Sequence, residues 1–183
     1  MAYSSEGDYD KAVGPLEKAI AMSDSYFAPK NVLGFCYVQA GRYDDAVAVL
    51  TDALRLKPHN IEALNSLGVA YANLGRHDLA VRQFEKAVLA DRAYVEGYIN
   101  LGTAYDRMGQ PEKAIEEYKK VESRTNSKHD IAISYIRIGD VHVKLKRIET
   151  AREYYRKAMA LPGISDELKK VASDRLNAHW DLE

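Results

Sequence analysis

Apolar and polar residues along this chain recur on a helical period, and the pattern itself repeats. Leu33-Gly34-Phe35-Cys36-Tyr37, Leu67-Gly68-Val69-Ala70-Tyr71 and Leu101-Gly102-Thr103-Ala104-Tyr105 stand 34 residues apart, and Ile138-Gly139-Asp140-Val141-His142 follows after 37. Alanine keeps the same phase at Ala12, Ala46, Ala80, Ala114 and Ala151, and again at Ala19, Ala53 and Ala87. Between those columns runs a bulky one, Leu16, Leu50, Phe84, Tyr118 and Tyr155, and Gly7, Gly41, Gly75 and Gly109 recur with it. The spacing predicts helices over 8–22, 27–40, 43–56, 61–74, 77–90, 95–108, 111–123, 130–145, 148–160 and 165–180. Pro58 closes one unit where a helix ends. Gly41, Gly75 and Gly109 are expected in the turns inside the units, where positive φ costs glycine little.

These columns and the 34-residue period resemble the tetratricopeptide repeat family over essentially the whole chain. The resemblance implies an all-α fold, a right-handed solenoid of antiparallel helix pairs closed by a C-terminal capping helix. Glycine or alanine lies where two helices of a pair approach, and larger side chains fill the space above and below. The expected organisation is a single domain: a partial repeat over 1–26, repeats over 27–60, 61–94, 95–131 and 132–164, and a capping helix over 165–180.

Departures from the pattern are as informative as its matches. Tyr3, Gly7, Tyr9, Ala12, Leu16 and Ala19 fit only the later columns, so the first unit reads as truncated, or as a naturally open apolar edge seeking a neighbour. Gly14-Pro15 falls inside the first helix and predicts a kink or break there. Ser127-Lys128-His129 marks a three-residue insertion, Lys146 takes a turn glycine's place, and His142 takes a tyrosine's. After Pro162-Gly163, Ser165 is an expected N-cap, with Asp166 and Glu167 in the first turn and Leu168, Val171, Ala172, Leu176 and Trp180 on one face.

Composition narrows the function. The chain has 183 residues, 46% hydrophobic and 29% charged, with 26 Lys+Arg against 27 Asp+Glu, so no whole-molecule field attracts nucleic acid or an anionic membrane. No apolar run is long enough for direct membrane insertion. A lone cysteine, Cys36, fits a reducing compartment, which places the expected location in the cytoplasm or at the periphery of a membrane or complex.

Catalytic chemistry finds no foothold. His59, His77, His129, His142 and His179 lack metal-ligand spacing, and neither a nucleophile elbow nor a phosphate-binding glycine loop occurs. Cys36 aligns with Ala70 and Ala104 and reads as a small core filler. Tyr37, Tyr71 and Tyr105 share a packing column, and Lys144, Lys146 and Arg147 form a short solvated run rather than a nucleic-acid patch. No enzyme, metal or cofactor is expected.

Function is therefore sought in surface shape. In the family that the chain resembles, the first helix of each unit lines the concave face. Carried over residue by residue, that geometry gives Asn31, Phe35 and Gln39; Asn65, Val69 and Asn73; Ile99, Asn100, Thr103 and Arg107; and Ile136, Arg137, Asp140 and Lys144. Amides can satisfy peptide backbone groups and apolar side chains can receive apolar ones, which suits an extended or helical protein segment. The paired lysine and asparagine of the family's carboxylate-clamp members are absent from these columns. A second expectation is a structural protein that self-assembles through the open first repeat or the terminal helix into a coat on a bacterial organelle or complex.

Overall fold

The computed structural model describes residues 9–22 and 26–178, and of Asp10 the backbone alone. Tyr3, Gly7, His179 and Trp180 lie outside the described residues. The chain divides into two compact units, Met1–Asp91 and Arg92–Glu183. The division falls in the last residues of the repeat unit expected over 61–94. Among the described residues every regular element is helical.

The first unit contains α1 (Tyr9–Met22), α2 (Phe27–Gln39), α3 (Tyr43–Leu56), α4 (Ile61–Asn73) and α5 (His77–Ala90). Helices α2 and α3 pack as one pair and α4 and α5 as the next, with α1 against α2. The glycine columns explain the closeness of each pair. A Cβ built on Gly34 would come within 3.0 Å of the Leu50 side chain, and one on Gly68 would collide with the Phe84 ring. Ala46, Leu50, Ala53, Ala80, Phe84 and Ala87 are all buried in these contacts.

The second unit contains α6 (Val95–Arg107), α7 (Pro111–Glu122), α8 (Lys128–Lys144), α9 (Ile148–Ala160) and α10 (Asp166–Asn177). It repeats the device, with Gly102 against the Tyr118 ring and Gly139 against the Tyr155 ring. Helix α10 packs on α9 and α8, placing Ala172, Leu168, Val171 and Leu176 against Ile136, Ala151 and Tyr155. Ser165 caps it as expected, its Oγ accepting from the Leu168 N–H at 3.3 Å.

The turn within each pair has one geometry. After α2, the Gly41 N–H donates to the Val38 carbonyl at 3.1 Å and the Arg42 N–H reaches back to the Tyr37 carbonyl at 2.8 Å. This closes the helix by the paired bonds of a left-handed C-terminal cap. Gly41, Gly75 and Gly109 have φ of 75°, 72° and 68°. Lys146 holds the same conformation at φ 57°, so the backbone kept the turn although the glycine is gone.

Three expectations are corrected. Helix α1 continues from Tyr9 to Met22 with Pro15 inside it, so the break does not occur. Proline removes one helical hydrogen bond, but Ala12 and Val13, just before it, are 6% and 7% exposed, and their burial holds the segment in place. The insertion at Ser127-Lys128-His129 lengthens a helix rather than forming a loop: Ser127 caps α8 by accepting from the Asp130 N–H at 3.3 Å, and α8 begins at Lys128 instead of residue 130. Finally, the tyrosine column is not uniformly core, because Tyr37 is buried whereas Tyr71 and Tyr105 are half-buried.

Candidate protein-binding face

In the first unit the expected face lies on α2 and α4. Phe35 and Gln39 are exposed, as is Asn73, while Asn31, Asn65 and Val69 are half-buried. The Phe35 ring is 40% exposed and meets the Tyr9 ring edge-on, with centroids 5.8 Å apart and planes at 81°. Asn73 donates from Nδ2 to the Val69 carbonyl one turn back at 2.9 Å, and its amide oxygen remains an acceptor not used in that bond. The Asn31 Oδ1 is enclosed, with no hydrogen-bond partner among the described residues.

In the second unit the face lies on α6 and α8. Arg107, Arg137 and Lys144 are exposed; Ile99, Asn100, Thr103 and Asp140 are half-buried. Ile136 is 5% exposed and sits in the cluster that α10 covers, so it is core and not a contact residue. The capping helix lies over the column in which Ile99 keeps partial exposure.

Thr103, Arg107, Arg137, Asp140 and Lys144 line one cavity of about 520 Å³, together with Asp106, Tyr118, Val143 and Arg175. Its walls are tied by specific bonds. Lys144 Nζ donates to Asp106 Oδ2 at 2.6 Å, joining α8 to α6. Asp140 Oδ1 accepts from Arg175 Nε at 2.5 Å and from the Tyr155 hydroxyl at 3.0 Å, joining α10 and α9 to α8. The Thr103 hydroxyl donates to the Ile99 carbonyl at 2.9 Å, leaving the Tyr118 hydroxyl to donate to Thr103 Oγ1 at 3.1 Å. Burial raises the Tyr118 and Tyr155 hydroxyls above the usual phenol range, so both remain protonated donors at neutral pH.

Sequence reasoning missed Asp106, Arg175, Tyr118 and Tyr155 as parts of this wall. One signal existed: Arg175 stands three residues after Ala172 and four after Val171, a cation on the otherwise apolar face of the last helix. A second concavity, of about 430 Å³, lies in the first unit among α1, α2 and α3, with Glu17, Lys30, Tyr37, Asp45 and Asp52 on its walls. There the Tyr37 hydroxyl donates to Glu17 Oε1 at 2.6 Å, and burial together with that carboxylate pushes its pKa up to about 12.

The side chains suited to chemistry are otherwise dispersed. Cys36 is fully buried, and burial raises its thiol. Among the described residues no group of three or more His, Cys, Asp or Glu could hold a metal ion, and no helix is long and apolar enough to cross a membrane.

Paired helices with small residues at each crossing, a left-handed cap in each turn and a closing amphipathic helix define a helical-repeat protein. Residues 37–95 and residues 100–162 each match a family described as Tetratricopeptide repeat. The chain belongs to the tetratricopeptide repeat family. Among solved structures, it is similar to a crystal structure of MamA, at 25% identity over 94% of this chain and 95% of that one, with a TM-score of 0.78. It is likewise similar to MamA from residue 41 to its end, from Desulfovibrio magneticus RS-1, at 26% identity over 87% and 88% of the two chains, TM-score 0.78. A further MamA crystal structure gives 25% identity, coverage of 94% and 88%, and a TM-score of 0.77. No curated protein matches the chain by sequence.

Proposed function

We propose that the chain is a non-catalytic interaction scaffold that binds a segment of another protein on the exposed face of its first helices. The observation that carries this reading is Phe35: an aromatic ring 40% exposed, in a helix whose flanking residues Leu33, Gly34, Cys36 and Tyr37 are buried. A large ring left at the surface of a rigid helix is the type of residue that anchors protein interfaces. Gln39 and Asn73 add polar groups for a partner's backbone, and Arg107, Arg137 and Lys144 add charge in the second unit. The scaffold needs no cofactor or metal, and its place is the cytoplasm or the periphery of a membrane or complex.

The test begins with affinity capture by the full chain, followed by titration of the purified partner in a calorimeter. Phe35→Ala should lower that affinity by about tenfold while the melting temperature stays near the parent value. A partner that binds the variant and the parent equally would remove Phe35 from the interface.

Similarity to MamA favours a second reading, a self-assembling structural protein of the magnetosome-associated MamA type that coats a bacterial organelle or complex. Association through the N-terminal repeat would then make the mass measured by light scattering rise with concentration. A constant monomer mass across the accessible range would overturn it.

A further inference from the structure

The cavity in the second unit carries more positive charge than its own carboxylates neutralise. Arg107, Arg137, Lys144 and Arg175 face it, against Asp106 and Asp140. Each aspartate is already engaged, Asp106 by Lys144 and Asp140 by Arg175. Arg107 and Arg137 have no ion-pair partner among the described residues, and both are exposed. Two guanidiniums therefore stand open on a wall that bonds between α6, α8, α9 and α10 hold in place. The Asp106 and Asp140 side chains are only 18% and 24% exposed, whereas Lys144 and Arg175 are 60% and 38% exposed, so each brace is sheltered on its carboxylate side alone.

Spacing distinguishes the ligands that could use this charge. By the repeat columns, Arg137 on α8 is level with Asn100 on α6, and Arg107 lies seven residues further along. At about 1.5 Å per residue, their backbone positions are offset by about 10 Å along the helix direction. One phosphate would have to draw both side chains in from that offset. Two side chains three residues apart on an extended polyproline-II segment, which turns once in three residues and rises about 3.1 Å per residue, share one face and match that offset. Guanidinium groups also pair with carboxylates in a two-point geometry that suits aspartate and glutamate. The volume, about 520 Å³, is in the range of clefts that accept small ligands or peptide side chains.

We infer that the second unit holds an acidic-segment site, in which Arg107 and Arg137 each receive one carboxylate of an extended Asp/Glu-rich stretch of a partner protein. Lys144 and Arg175 position the wall through Asp106 and Asp140, and the exposed ammonium of Lys144 contributes to the field. The inference rests on the scaffold reading and specifies the chemistry of its partner in this unit. Lys144 is bound to Asp106, so Arg107 and Arg137 are the cationic pair left for a partner.

The test is fluorescence anisotropy of the full chain with a labelled glutamate-rich peptide, its glutamine analogue, and a serine-phosphorylated peptide carrying a single phosphate. The glutamate peptide should bind, weaken as salt is raised, and lose about tenfold or more in affinity with R107E/R137E. The glutamine analogue should not bind. The control R82E/K86E, on α5 in the first unit, changes net charge equally and should retain most of the affinity. If R107E/R137E does not fold, R107Q/R137Q with the same readout replaces it, with a loss of several-fold expected.

Equal losses in the control and the cavity variant would reduce the effect to bulk attraction and overturn the site. So would unchanged binding by the cavity variant, or absence of binding by the parent. Tighter binding of the phosphopeptide than of the glutamate peptide would overturn the assignment to paired carboxylates. The scaffold reading is separable: if the acidic peptide fails while a captured partner still depends on Phe35, the inference falls and the scaffold stands.

Discussion

Lys146 shows what a single backbone position costs. It holds φ at 57° in a turn where Gly41, Gly75 and Gly109 hold the same region. A side chain there crowds the following carbonyl, and glycine avoids that at some entropic cost in the unfolded chain. Lys146→Gly should stabilise the protein by about 0.5–1 kcal/mol, read as a higher denaturant midpoint at unchanged slope. His142 is a second departure from its column. Its ring is 8% exposed, stacks on Tyr154 at 5.7 Å, and leaves Nδ1 enclosed with no hydrogen-bond partner among the described residues. Burial lowers its pKa from 6.5, and the positive charges of Arg147 and Lys119 act in the same direction. The folded state thus resists a proton that the unfolded chain accepts. Stability from this residue is present above the unfolded value and is lost as pH falls through it. The melting temperature should therefore drop between neutral pH and about pH 5, and His142→Tyr should remove that part of the drop.

Two glycines in different helices separate helix propensity from packing. Gly14 in α1 has open space where a Cβ would stand, whereas a Cβ on Gly68 in α4 would strike the Phe84 ring. Gly14→Ala should stabilise by at most about 0.5 kcal/mol, because alanine is the better helix former but its Cβ must fit against the Pro15 ring that follows. Gly68→Leu should destabilise by about 1–3 kcal/mol or more, because α4 and α5 must separate. Thermal melts of the two variants should shift in opposite directions, and equal shifts would refute the close crossing at Gly68. Pro15 teaches a related lesson about local rules. Sequence placed a kink or break at this proline, and the break does not occur, because neighbouring buried side chains hold the backbone once one hydrogen bond is lost. The capping signals carried further: Ser165 and Ser127 each accept from an N–H in the first turn that follows, although the second had been assigned to an insertion.

For the whole chain, repeat architecture predicts that stability is a sum of neighbour interfaces rather than one global quantity. Gly139→Leu, which drives a side chain into Tyr155, should first reduce amide protection in α8, α9 and α10. Protection in α2, α3 and α4 should hold at low denaturant. Hydrogen exchange read by mass spectrometry checks this, and a uniform loss across both units would contradict it.

What the sequence determined by itself was the repeat, the helix pairs, the turn conformations and the small-to-large packing at each crossing. These follow from steric rules acting within one helix or across one short turn, so a 34-residue period makes them legible. Tertiary structure decided which residues of the first helices stay available. It buried Ile136 beneath the capping helix, tied Lys144 to Asp106 across 38 residues, and tied Asp140 to Arg175 across 35. Column alignment could not show this, because residues in one column share a position on their helices but not the same neighbours. Where α10 replaces another repeat, an apolar contact position becomes core, and an arginine on a packing face becomes part of a charged wall.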